Sequence, residues 1–152
     1  MVLKYMQGFS EGDVSSERNL SIKNVRPAEA IETGLLTMSV ATLYRALEDG
    51  RFYAVIPTGH KSGREIPVWQ FDGCVPEILP RVLLSLRAAG VAEIHAFFVT
   101  MEDELNELSP AEVLAGKFFE SRQIVEKCQF TFLQQPAYHR QQRVLDLIKS
   151  MT

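Results

Sequence analysis

The chain has 152 residues, 46% of them apolar and 23% charged, with a formal net charge of −3. That length suits one domain of ordinary size or two small ones, and the composition supports a packed core and argues against general disorder. The opening stretch has no apolar run long enough for a signal peptide and no later segment approaches a membrane span, so the expectation is a cytoplasmic protein.

Charge is unevenly distributed. Residues 1–70 carry eight Lys/Arg and eight Asp/Glu, whereas residues 71–152 carry eight Lys/Arg and eleven Asp/Glu. A nucleic-acid partner would therefore be met by a local basic patch in the first half, not by a globally basic protein.

Residues 1–26 are polar, rich in Gly and Ser and without sustained period, and read as a flexible arm. In "RPAEAIETGLLTM", Pro27 stands at a first helical position and Ala28, Ala30 and Ile31 begin an apolar face before Gly34 interrupts it. Ser39 is placed to cap a second helix in which Val40, Leu43 and Leu47 share one face, with Gly50 as its stop. Its outward face carries Ala41, Thr42, Arg45, Glu48 and Asp49.

After Gly50 the period changes to two: Phe52, Ala54 and Ile56 alternate with Tyr53 and Val55, as in a strand. "PTGHKSGRE" has the glycines of a hairpin tip, and "IPVWQF" is a second strand-like run that can pair back on the first. Residues 27–72 thus predict a helix, a turn, a helix and a two-stranded wing.

From residue 73 to residue 152 the pattern is helical. "PEILPRVLLSLRAAG" places Ile78, Val82, Leu83 and Leu86 on one stripe, and "VAEIHAFFVTM" does the same with Val91, Ile94, Phe98 and Met101. "LSPAEVLAG" predicts a capping box of Ser109 and Glu112 with Pro110 at the first helical position. "KFFESRQIVEKCQF" and "AYHRQQRVLDLIKSM" predict two more helices. The fold class expected is mainly α with a small β-hairpin wing, a helix-turn-helix followed by an all-helical domain.

Catalytic signals are weak. "TGHKSGRE" places His60 between Gly59 and Lys61 and continues as a strand, which a phosphate-binding loop does not. His60, His95 and His139 are scattered and form no zinc pattern with the cysteines. Cys74 and Cys128 are too few for a disulfide framework, stand outside any C-x-x-C pair and read as packing thiols. No catalytic residue, metal or cofactor is assigned, and a binding protein is expected in place of an enzyme.

The second helix of a helix-turn-helix enters the major groove through its N-terminal residues. Ser39, Thr42 and Arg45 occupy those places, and Arg45 suits bidentate recognition of guanine. Arg51, His60, Lys61 and Arg64 flank the wing and suit phosphate contacts. A reader of paired half-sites is expected to be a homodimer on double-stranded DNA.

Three stretches carry a family resemblance. "SVATLYRALEDGRFYAV" resembles the recognition helix and first wing strand of excisionase or MerR-type domains. "REIPVWQFDG" and the following "PEILPRVLLSLRAAGVAEIHAFFVTMEDELNELSPAEVLAGK" resemble the toxin-binding domain of the Xre/MbcA/ParS-like antitoxins and the segment leading into it. The resemblance covers residues 28–120 and implies a type II antitoxin that autoregulates its operon and blocks a toxin, often of the RES type. The tail beyond residue 120 departs from the family pattern, which makes a solitary transcription regulator the alternative. Leu108, Leu114, Tyr138, Arg140 and Arg143 are the candidate partner-binding residues.

Overall fold

The computed structural model describes residues 19–57, 59 and 63–151 of the chain. Two-residue strands β1 (Asn19–Leu20) and β2 (Asn24–Val25) lead into helices α1 (Pro27–Glu32) and α2 (Val40–Glu48). A loop returns to β3 (Ile66–Pro67) and a 3₁₀ turn at Val68–Phe71. The remainder is α3 (Val75–Ser85), α4 (Val91–Val99), a 3₁₀ turn at Asp103–Leu105, α5 (Pro110–Ala115), β4 (Phe118–Phe119), α6 (Lys127–Leu133) and α7 (Ala137–Ser150). The described chain is mainly helical with a small β component, as its periodicities predict.

Local signals place the helices well. Ser39 caps α2, and Pro27 and Pro110 open α1 and α5. The α5 box is complete: the Glu112 backbone N–H donates to Ser109 Oγ, and the Ser109 N–H donates to Glu112 Oε1. Gly116 ends α5 at φ +73°, a left-handed conformation that favours glycine, and a Cβ there would lie 2.8 Å from Arg140 Nη1.

Several expectations fail for tertiary reasons. Residues 1–18 of the expected arm lie outside the described residues, but residues 19–26, assigned to the same arm, are built into the fold. β1 pairs in parallel with β4, Asn19 opposite Phe118, and Leu20 is in the core. β2 pairs antiparallel with β3, so "IP" meets the chain's start and not the run after Gly50. Between that run and the returning chain, one bridge among the described residues, Val55 to Glu65, stands where the wing was expected.

The cause lies at Phe52 and Tyr53, which are both buried although adjacent, so the alternation of a half-buried strand is broken. The buried Gln70 side chain stands in for a pairing strand: its Oε1 accepts from Tyr53 N at 2.8 Å and its Nε2 donates to Tyr53 O at 2.9 Å. The expected α4 stripe also shifts, with Phe97 and Phe98 buried and Val91 and Met101 exposed. The helix expected from Lys117 begins at Lys127, because Phe118 and Phe119 are taken by β4.

One apolar core spans the described chain. Leu43 and Ala46 of α2, Tyr53, Trp69, Leu79 of α3, Phe98 of α4, Leu114 of α5 and Val144 of α7 belong to the same buried cluster. It crosses Asp72, where composition divides residues 27–72 from residues 73–152. At its centre, the Phe98 ring lies 5.4 Å from Tyr53, 5.1 Å from Trp69 and 5.3 Å from Phe97, centroid to centroid.

Candidate nucleic-acid interface and partner surface

Helix α2 buries Leu43 and Ala46 and turns Ala41, Tyr44, Arg45 and Glu48 outward. The Thr42 N–H donates to Ser39 Oγ at 3.1 Å, and Ser39 Oγ donates to Thr42 Oγ1 at 2.9 Å. These hydroxyls therefore hold the first turn in shape and support the helix end before any ligand arrives. Arg45 lies in the last turn of α2 and is exposed, as are Arg51 and Arg64.

Arg64 is brought to α2 by a contact that the sequence does not announce. Its guanidinium lies 5.8 Å from the centroid of the Tyr44 ring, a cation–π arrangement that fastens the chain returning toward β3 onto the helix's outer face. Tyr44 and Arg64 thus share one surface, and Tyr44 belongs to the candidate site. Its signal in the sequence is an aromatic side chain on the polar side of an amphipathic helix. His60 and Lys61 lie outside the described residues. Glu48 and Asp49 stand at the C-terminal end of α2, so a polyanion is best received at its N-terminal half.

The residues proposed for partner binding divide differently. Leu108 and Leu114 are fully buried core residues, so they offer no surface. Arg140 is a correction as well. Its Nη1 donates to Val113 O at 2.6 Å and to Leu114 O at 3.0 Å, and its Nε donates to Gln135 O at 2.8 Å. It closes the carbonyl end of α5, where a cation is favoured, and is buried in doing so. Arg143 donates to Glu104 O at 3.0 Å and lies 4.7 Å from the Phe132 ring centroid, half-buried against α6. Of the five, Tyr138 alone is widely exposed, at 66%.

A second cluster fixes the segment after α5. Glu112, 1% exposed, accepts at Oε1 from Arg122 Nη2 at 2.7 Å, and at Oε2 from Arg122 Nε and the Phe119 N–H, both at 2.8 Å. Burial raises the Glu112 carboxyl's pKa, but the Arg122 guanidinium and the Ser109 and Phe119 N–H groups outweigh it, leaving the pKa below the ordinary value. Arg122 also donates to Glu107 O at 3.1 Å, so loop 117–126 is tied both to α5 and to the turn before it.

Beside this cluster, His95 lines a hollow of about 270 Å³ together with Ile22, Trp69, Val99 and Phe119. Tyr53 Oη accepts from Trp69 Nε1 at 3.2 Å and shares a hydrogen bond with His95 Nδ1 at 2.8 Å. Burial lowers the His95 pKa from 6.5 and raises that of Tyr53. The unfolded chain then binds a proton near pH 6.5 that the folded chain refuses, so this contribution to stability is complete above that pH and is lost as pH falls below it. The melting temperature of the wild type is expected to fall more steeply between about pH 7.5 and pH 5.5 than that of His95→Gln, measured by thermal circular dichroism. Parallel curves would remove His95 from the account.

Among the described residues, no group of three or more His, Cys, Asp or Glu side chains is placed to hold a metal ion, and no helix is long and apolar enough to cross a membrane. No family model, no curated protein and no solved structure matches the chain.

Proposed function

We propose that this chain is a DNA-binding regulator of the antitoxin type, which represses its own operon through α2 and neutralises a partner toxin through its helical half. The observation that carries the DNA reading is the seating of Arg64 on Tyr44, 5.8 Å from the ring centroid, which brings a guanidinium onto the outer face of α2, the helix whose last turn exposes Arg45. In this reading α1 and α2 act as a helix-turn-helix. Arg45 reaches base edges, while Arg51 and Arg64 grip phosphates on either side. Two copies would read paired half-sites.

The solitary regulator is favoured by a specific observation: Leu108, Leu114 and Arg140 are committed to the interior and leave fewer residues for a toxin. Co-expression with the product of the adjacent reading frame decides between the two. The antitoxin reading expects a stable complex that co-purifies and relieves growth inhibition by that product. Binding of the chain's own promoter without such a complex leaves the solitary regulator.

A further inference from the structure

A groove of about 420 Å³ runs beside the Glu112–Arg122 pair, lined among others by Val99, Met101, Phe119, Ser121, Arg122 and Ile124. The hollow at His95 adjoins it and shares Val99, Phe119 and Ser121. Large apolar side chains stand open around it: Ile124 is 75% exposed, Met101 57% and Ile22 55%. An apolar surface concentrated in one hollow marks a contact site more often than bare solvent-facing surface.

The polar groups in its floor do not suit a small polar ligand. Ser109, Glu112 and Arg122 are bonded to one another, so the floor's most strongly polar groups are already engaged. What the groove presents is apolar area with acidic residues beside its Arg122, whose guanidinium donates to Glu107 O at 3.1 Å. Glu102 follows Met101, the chain continues through Asp103, Glu104 and Glu107, and Glu126 stands two residues beyond Ile124. Arg122, the cation among the described lining residues, is neutralised by Glu112. The crowding of negative charge is felt at Glu107, whose carboxyl is raised by its hydrogen bond to Asp103, by the Asp103 charge and, more weakly, by Glu126.

We infer that this groove is the docking site of an amphipathic segment of a partner protein, apolar along one stripe and carrying lysine or arginine at the end that meets Glu107 and Glu126. Apolar side chains fill the hollow between Val99 and Ile124, and the cationic end relieves the carboxylates' mutual repulsion. This rests on the reading of the chain as one with a protein partner, and it moves the partner surface from Leu108, Leu114 and Arg140 to the groove beside the Glu112–Arg122 pair.

The test uses the full chain with labelled methyl groups and two synthetic probes: a 14-residue amphipathic peptide of leucine and lysine, and its counterpart with glutamate for every lysine. Shifts confined to the Val99, Met101 and Ile124 methyls are expected with the lysine peptide, with affinity at least tenfold above that of the glutamate peptide. The exposed substitutions Met101→Glu and Ile124→Glu should each lower that affinity at least tenfold, and Glu107→Lys with Glu126→Lys should reverse the preference. Equal binding of both peptides, shifts elsewhere, or no binding overturns the proposal. Groove shifts that follow dilution of the free chain assign the site to a second copy. Groove shifts that follow deletion of residues 1–18 assign it to the chain's own start. Either result also overturns it. Promoter binding by the same variants is measured in parallel, and a neighbour-encoded protein that binds the chain while leaving the groove signals unmoved defeats the groove and spares the antitoxin reading.

Discussion

Arg122→Ala is expected to cost about 3–5 kcal/mol of folding stability, because it leaves a buried carboxylate without its charged partner. Glu112 is 1% exposed and receives two of its hydrogen bonds from Arg122, which also holds Glu107 O. The measurement is urea unfolding at neutral pH. The pH dependence carries a signature of its own. In the wild type the Glu112 carboxyl lies below 4.5, so its contribution is present above that pH and fades as pH falls through the lowered value. In the variant the lowering by the guanidinium is gone, so the same carboxyl should titrate higher than in the wild type. The difference between the two proteins should therefore narrow on acidification, as Glu112 takes up a proton in the variant first. Exchanging both partners, Glu112→Gln with Arg122→Met, should recover part of the loss, since no charge remains buried alone. A cost below about 1 kcal/mol would place the pair among weak surface ion pairs.

Phe98→Ala is the second large effect, expected at about 3–5 kcal/mol for a buried aromatic residue truncated where the site cannot collapse freely. The ring contacts Tyr53, Trp69 and Phe97, so its loss opens the core at the point where the α2 side meets α4. Because the buried cluster crosses Asp72, the variant should still unfold in a single transition with a lower midpoint. Far-ultraviolet circular dichroism and the fluorescence of Trp69, the chain's one tryptophan, should move together. Early loss of the Trp69 signal with helicity intact would show that residues 27–72 melt separately from residues 73–152.

What the sequence makes legible is what three or four neighbouring residues decide. Ser39 and Gly50 bound α2, and Ser109, Pro110, Glu112 and Gly116 bound α5, because caps and stops act through groups a turn away. The errors share a different cause. Asn19–Leu20 finds its partner at Phe118–Phe119, and Gln70 serves as a strand for Tyr53; neither pairing leaves a local trace. Arg140 misleads in the same way: a long cation in a polar stretch reads as a free surface group, yet the open carbonyl end of α5 draws it inside. Glu112 has two tasks, and the capping box shows the first while Arg122 supplies the second. On the candidate interface, the amphipathic period turns Arg45 outward correctly, whereas the approach of Arg64 to Tyr44 comes from the loop's return and is visible only in three dimensions.

The DNA reading is tested by fluorescence anisotropy of the intact chain and Arg45→Ala on a duplex from the chain's own promoter and on a scrambled duplex of equal length. Arg45 is exposed, so the variant should keep the wild-type melting temperature. If it bonds guanine bidentately, the promoter duplex should lose about 1–3 kcal/mol of binding free energy that the scrambled duplex keeps. Arg64→Ala should weaken both duplexes alike and reduce the salt slope by about one charge. An equal loss on both duplexes for Arg45→Ala would make it a phosphate contact, and unchanged binding to both would contradict the placement of α2 in the groove.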